Sequence, residues 1–261
     1  MIIIVFFAFI AVFGPMLAPY EPLGTDSRQR LQGPSAAHWF GTDNVGRDVL
    51  TRTMYGARVS IYAGLMSMIG AAGIGAIVGV TSGYLGGKFD LLVQRLVDGL
   101  TAFPTLLLAL ALMAAWGATL NNVILAMSIT FAPRITRVVR SAALSAKENP
   151  YIEAARAIGA ASPRVILRHI LPNTFAALIV IATASVGAMI ITEASLSFLG
   201  VGTPARVVTW GAMLSGDALT FFSSAPWVGI FPGGALSLVV FGINVFGDSL
   251  RDILDPKMRG R

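Results

Sequence analysis

Cysteine is absent from the 261 residues, histidine occurs only twice, and charged side chains make up 12% of the chain. Without cysteine there is no disulfide framework, no thiolate nucleophile and no cysteine-based zinc site, and nothing marks a redox compartment. What fills their place is apolar: 55% hydrophobic residues and a mean hydropathy of +0.75, well above a soluble domain. The formal charge of +6 raises nucleic acid as a partner. The basic residues, however, are scattered between apolar blocks of roughly twenty residues, about the length that crosses a bilayer as a helix. The composition therefore points to an all-α membrane protein whose partner is a lipid bilayer, not nucleic acid.

Six candidate transmembrane helices follow from the apolar runs: Met1 to about Ala18, Ser60 to Tyr84, Val97 to Trp116, Leu120 to Phe131, Thr174 to Leu199, and Val228 to Phe246. The first lacks a basic n-region and a small-residue cleavage site, so it reads as a retained helix rather than a signal peptide. The organisation expected is a first helix and outside loop over 1–57, a transmembrane domain over 58–248, and a tail over 249–261. Lys and Arg are retained on the cytoplasmic side. With both ends inside, thirteen basic residues are cytoplasmic, among them Lys88, Arg95, the seven from Arg134 to Arg168, and those of the tail; six, including Arg28, Arg47 and Arg206, are outside. The expectation is N-in and C-in, with a polar loop at about 134–173 facing the cytoplasm. His38 and His169 then fall on opposite sides, so they form neither a metal site nor a catalytic dyad, and no catalytic residue is evident.

That loop contains "EAARAIGAASPRVILRHILPN", Glu153 to Asn173, a polar stretch between two long apolar runs. Asn149 before Pro150 reads as a helix start, the asparagine side chain capping free amides and proline taking the first turn. Gly159 reads as the stop, since glycine tolerates the left-handed conformation of a helix terminus. Ser162 and Pro163 repeat the start signal, and Pro172 with Asn173 are expected to interrupt the chain before the fifth span. Two short helices joined by a tight turn result. Ala154, Ala155, Ala157 and Ala160 leave the first with little side-chain bulk, as a docking element needs.

Glu153, Ala154, Ala155, Gly159, His169, Leu171, Pro172 and Asn173 together resemble the EAA loop of the permease subunits of bacterial ATP-binding-cassette importers. The outside segment "FGTDNVGRDVLTRTMYGARVSI" (40–61), "TEASLSFLGVG" (192–202), Trp210 with Gly211, Met213 and Leu214, and "NVFGDSLRDILDPKMR" near the end resemble the dipeptide, oligopeptide and nickel branch. "TPARVVTW" departs from that branch's usual proline-rich run. The resemblance implies a type I importer permease fold in the bacterial cytoplasmic membrane. The eight loop residues would dock an ATPase. Partners would be a homologous permease subunit, two cytoplasmic ATPase subunits that bind ATP and Mg, and an extracytoplasmic solute-binding protein. The cargo would be dipeptides, oligopeptides or a related small solute, with nickel chelates or glutathione as alternatives. An ion-coupled secondary transporter is the reading from another class; repeated broken helices with buried charges, which it would need, are not seen.

Other residues have structural readings. "GYLGGKFD" fails as a phosphate loop because Ser82 stands at the first glycine position and Phe89 at the magnesium-binding hydroxyl, so the chain supplies no ATPase site of its own and binds no cofactor. Asp48 and Arg52 stand i,i+4 and read as local helix support, with partner binding as the alternative. Gly75, Gly79 and Gly83 repeat every four residues, which lets another helix approach closely. Ionised groups are costly in hydrocarbon. Asp98 is therefore expected to pair with Arg95, and Glu193, near the outside end of the fifth span, to hold a packing or gating hydrogen bond or to line the pathway.

Overall fold

A computed structural model describes residues 1–254; the basic residues from Lys257 to Arg261 lie outside the described residues. The described secondary structure is helical: α1 (Ile2–Leu17), a short 3-10 turn (Ser27–Gln29), α2 (Val49–Leu85), α3 (Gly87–Thr101), α4 (Thr105–Trp116), α5 (Leu120–Lys147), α6 (Pro150–Ala157), α7 (Ser162–Val165), a π-helical turn (Ile166–Ile170), α8 (Leu171–Phe198), α9 (Trp210–Leu214), α10 (Asp217–Thr220) and α11 (Trp227–Leu254). Four stretches are long and apolar enough to cross a membrane: Val49–Leu85, Leu120–Lys147, Ser162–Phe198 and Trp227–Ile253. α3 and α4 make a fifth if their bent pair is counted as one span, and α1 is an apolar helix of 16 residues. The six apolar runs of the sequence thus correspond to α1, α2, α3 with α4, α5, α8 and α11.

α2 is the central element, packed against α5, α8, α1 and α11. Its buried positions are mostly small: Gly56, Ala57, Ser60, Ala63, Gly64, Ser67, Ala71, Gly75, Ala76, Gly79 and Gly83. Lipid tails are as apolar as leucine, so helices associate in a bilayer by close packing rather than by burial, and small residues permit it. The repeat at Gly75, Gly79 and Gly83 faces α5. A Cβ on Gly79 would stand 2.7 Å from the Thr136 carbonyl oxygen, and one on Gly83 2.9 Å from that of Arg140.

Several boundaries differ from those read in the sequence. α2 starts at Val49 rather than near Ser60, because Asp48 caps it, accepting from the Thr51 amide at 2.7 Å, and the segment before it packs over its first turns. The third run is two helices: Pro104 lacks the amide a helix would use and disfavours α at the residue before it, and here the chain breaks at 102–104 and the pair bends by 90°. α5 does not stop at Phe131 but carries Pro133 inside it and runs to Lys147. α11 continues past Phe246 to Leu254, into the stretch expected to be tail. Nor do Pro172 and Asn173 interrupt the chain: Ser162 to Phe198 forms one continuous helical stretch. The π turn just before Pro172, closed by the Leu171 amide on the Ile166 carbonyl, widens the helix where the proline ring would otherwise press on the preceding turn.

Candidate functional site

The loop between α5 and α8 is built as an anchored pair of short helices. α6 ends in a Schellman closure: the Gly159 amide donates to the Arg156 carbonyl at 2.9 Å and the Ala160 amide to that of Ala155 at 3.0 Å. Gly159 holds φ +82, as the stop signal requires, with open space around its missing side chain. The start signals act otherwise than expected. Asn149 does cap α6 by position, but its side-chain amide donates back to the Ala146 carbonyl at 2.9 Å and not forward to the free amides. For α7 the cap position belongs to Ala161, and Ser162 is already inside the helix. In both cases proline in the first turn, by fixing φ, takes over the initiating role.

Ile152, Val165 and Ile170 are fully buried and tie the pair into the core formed with Tyr84, Val139, Ala143 and Ala146. The Arg156 guanidinium lies 4.9 Å from the centre of the Tyr84 ring, and the Lys147 ammonium 5.9 Å from it, a cation–π clasp joining α6, α5 and the end of α2. Outward, the loop presents Tyr151, Glu153, Ala154, Ile158 and Gly159, with Ile158 86% exposed. Of the eight loop residues singled out from the sequence, Glu153, Ala154, Gly159, Pro172 and Asn173 are exposed, His169 and Leu171 are half-buried, and Ala155 is turned inward. His169 stacks loosely with Tyr151, ring centres 6.1 Å apart, and its carbonyl accepts from the Asn173 side chain at 2.6 Å. The sequence did not reveal Ile152 and Val165 as anchors or Ile158 as the outward apolar residue; a period of three to four apolar residues through 152–170 was the available signal.

At the other end of α8, Glu193 is fully buried and accepts from the Ser197 hydroxyl at 2.7 Å. Beside it α9 enters between α2 and α8. Trp210 is fully buried, its indole N–H donating to the Thr53 carbonyl at 3.0 Å and its amide to the Ser60 hydroxyl at 3.3 Å. Gly211 allows the entry, since a Cβ there would stand 2.1 Å from the Ala194 carbonyl oxygen. Glu193 is thus buried beside Ser197, next to the entry of α9.

One sequence reading of an ion pair is corrected, and a second is extended. Asp98 pairs with Arg137 of α5 at 2.8 Å rather than with Arg95 of its own helix, because the α3 break turns it toward α5. Asp48 caps α2 and pairs with His38 at 2.9 Å, while Arg52 reaches Asp43 at 3.7 Å and the Pro22 carbonyl at 3.0 Å. The segment before α2 is thus a folded polar cluster in which the Asp48 cap is one of several contacts.

An all-helical bundle with several apolar spans and an anchored loop turned to one end is the architecture of a membrane transport component. Residues 74–260 match the family described as "binding-protein-dependent transport system inner membrane component", and residues 1–34 match the "N-terminal TM domain of oligopeptide transport permease C". The chain belongs to the binding-protein-dependent transport permease family. It is similar to the dipeptide transport system permease protein DppC of Alkalihalophilus pseudofirmus, 46% identical over 99% of this chain and 85% of that one. It is 41% identical to the oligopeptide transport system permease protein OppC of Bacillus subtilis, over 99% and 85%. The glutathione transport system permease protein GsiD of Escherichia coli is 42% identical, over 96% and 83%. The fold matches a chain of the MetNI methionine ABC transporter in an inward-facing conformation, with a TM-score of 0.62 at 21% identity, over 79% of this chain and 96% of that one. The chain is accordingly a permease subunit of an ABC transporter of the inner membrane, a transport subunit by family.

Proposed function

We propose that the chain forms half of the translocation pathway of an importer for dipeptides or oligopeptides, driven by ATP that partner subunits hydrolyse. The observation that carries the docking part is the α6–α7 pair: a rigid Schellman-closed turn, anchored inward by Ile152, Val165 and Ile170 and offering Glu153, Ala154 and Ile158 outward. Two cytoplasmic ATPases would bind ATP and Mg, one docking on this loop, and the chain itself would carry neither an ATPase site nor a cofactor. A homologous permease would supply the other half, and an extracytoplasmic binding protein would deliver the cargo. Both chain ends would be cytoplasmic. ATP-driven closure of the ATPases would move the loop, and because Ser162 to Phe198 is one helical stretch, the push would reach the buried Glu193 end of α8 without a hinge at Pro172. Peptide cargo is supported by the names of the dipeptide and oligopeptide relatives; glutathione, itself a small peptide, is the second reading, supported by a relative at 42%.

Gly159→Val tests the coupling. A β-branched residue at φ +82 is strained by about 1–2 kcal/mol or more, and with open space around it the backbone, not a clash, carries the effect. The variant should insert normally, copurify less ATPase and lose ATP-driven uptake of a labelled dipeptide, whereas Ala161→Ser should match the parent. Normal association and uptake for Gly159→Val would refute the docking role of the loop.

A further inference from the structure

α3 is the element that the transport reading leaves unexplained. Its inward face is polar and fully engaged with α5: Arg140 grips Asp90 with two nitrogens, Nε at 2.6 Å from Oδ1, while Ser82 donates to the same carboxylate and Gln94 donates to Ser82 at 3.1 Å. One turn short of the break, Arg137 holds both Asp98 and Thr101 at 2.8 Å. The opposite face is apolar and uncovered. Phe89, Leu92, Leu96 and Leu100, spaced by three and four residues, are 46%, 63%, 66% and 36% exposed. Exposed Lys88 and Arg95, seven residues apart, flank that stripe on one side.

Orientation and depth follow from the contacts. α3 meets α4 at 90°, so where α4 runs along the bundle α3 runs across it. Asp90 and Asp98, about 12 Å apart along α3, bind arginines only about 4.5 Å apart along α5, as a steep crossing demands. Those arginines lie about 26 and 30 Å down α5 from Leu120, one hydrocarbon thickness. The far level is marked by half-exposed Trp116 and by Asn122, which donates to the Trp116 and Gly117 carbonyls at 2.8 and 2.9 Å; Trp and polar amides belong at an interface. α3 therefore sits at the opposite interface, on the side of the α6–α7 loop.

From this we infer that α3 is an in-plane interfacial helix, its Phe89–Leu92–Leu96–Leu100 stripe lying at the boundary of headgroups and acyl chains and Lys88 and Arg95 contacting anionic phospholipid headgroups. An apolar stripe flanked by cations is what such a boundary accommodates. Water would face four large apolar side chains, whereas an anionic bilayer meets both the apolar stripe and the two cations beside it, so the bilayer is the occupant. α3 then fixes the depth of α5 through the two arginine clasps and of α2 through Ser82, holding the loop at a set height above the lipid.

The chain lacks cysteine, so single nitroxide labels can be placed at Leu92, Leu96, Lys88 and Arg95 in the complete transporter complex, reconstituted in vesicles of phosphatidylethanolamine and phosphatidylglycerol. Labels at 92 and 96 should collide with oxygen several-fold more than with a water-soluble nickel chelate, and labels at 88 and 95 should show the reverse. Labels at 92 and 96 shielded from both reagents would mean that a protein covers the stripe, and preference for the nickel chelate would mean water; either overturns the inference. In phosphatidylcholine vesicles the label at 92 should shift toward the aqueous reagent. An unchanged ratio there would overturn the assignment of Lys88 and Arg95 to anionic headgroups.

Discussion

Replacing Gly79 with alanine pushes a methyl group into the backbone of α5. The new Cβ would stand 2.7 Å from the Thr136 carbonyl oxygen, 3.0 Å from the Arg140 amide nitrogen and 3.0 Å from the Val139 Cβ, against a comfortable carbon separation of about 3.5–4.0 Å. None of these is the end of a flexible side chain, so the helices themselves must separate, and overpacking of this kind costs about 1–3 kcal/mol. Alanine also favours helix over glycine by about 0.8–1.0 kcal/mol, which would blur the result if Gly79 were studied alone. Gly73 is the control: it lies in the same helix, and a Cβ there meets nothing within 4 Å. The propensity gain is shared by both variants and cancels in their difference. Gly79→Ala should therefore be about 1–3 kcal/mol less stable than Gly73→Ala. Thermal unfolding of the detergent-solubilised protein, followed by tryptophan fluorescence, reads this as a lower Tm. Equal Tm values for the two variants would refute the claim that α2 and α5 touch backbone to backbone at this point.

Other outcomes are expected from the same contacts. A cysteine at exposed Ser145 should resist a membrane-impermeant thiol reagent in intact cells while one at exposed Ser27 is labelled; the opposite pattern would invert the orientation. Asp90→Asn removes the charge that two Arg140 nitrogens grip and should destabilise by about 1–3 kcal/mol, measured by the same unfolding assay, more than Asp98→Asn, whose pair with Arg137 is about half exposed. Trp210→Ala opens a cavity at a fully buried position and should cost about 3–5 kcal/mol; Trp210→Phe, which keeps most of the volume but loses the bond to Thr53, should cost less.

Much of the loop was legible in the sequence because its signals are local. Gly159 takes a positive φ for a reason carried by the residue itself, and Pro150 and Pro163 start helices because their rings fix φ. Asn149 and Ser162 misled, because a side chain able to cap can also bond elsewhere, as Asn149 does to Ala146. Hydropathy also located the apolar runs, four of which are long and apolar enough to cross a membrane, with a fifth if α3 and α4 count as one span. It failed at their ends, where polar residues are retained in helices by partners distant in the chain.

The sequence by itself determined the class of the protein, the number and order of its apolar segments, the small-residue seam on α2 and the stop at Gly159, because each depends on composition, on spacing along one helix, or on the conformational range of one residue. Only the tertiary structure decided that α5 runs on to Lys147, that Asp98 and Asp90 of α3 face Arg137 and Arg140, and that Trp210 fills the space between α2 and α8. The α3–α5 pairs and the Trp210 bond join residues 39 to 157 positions apart, and the cost of a charge or an indole N–H in an apolar bundle is set by the partner it finds there, which no local pattern records.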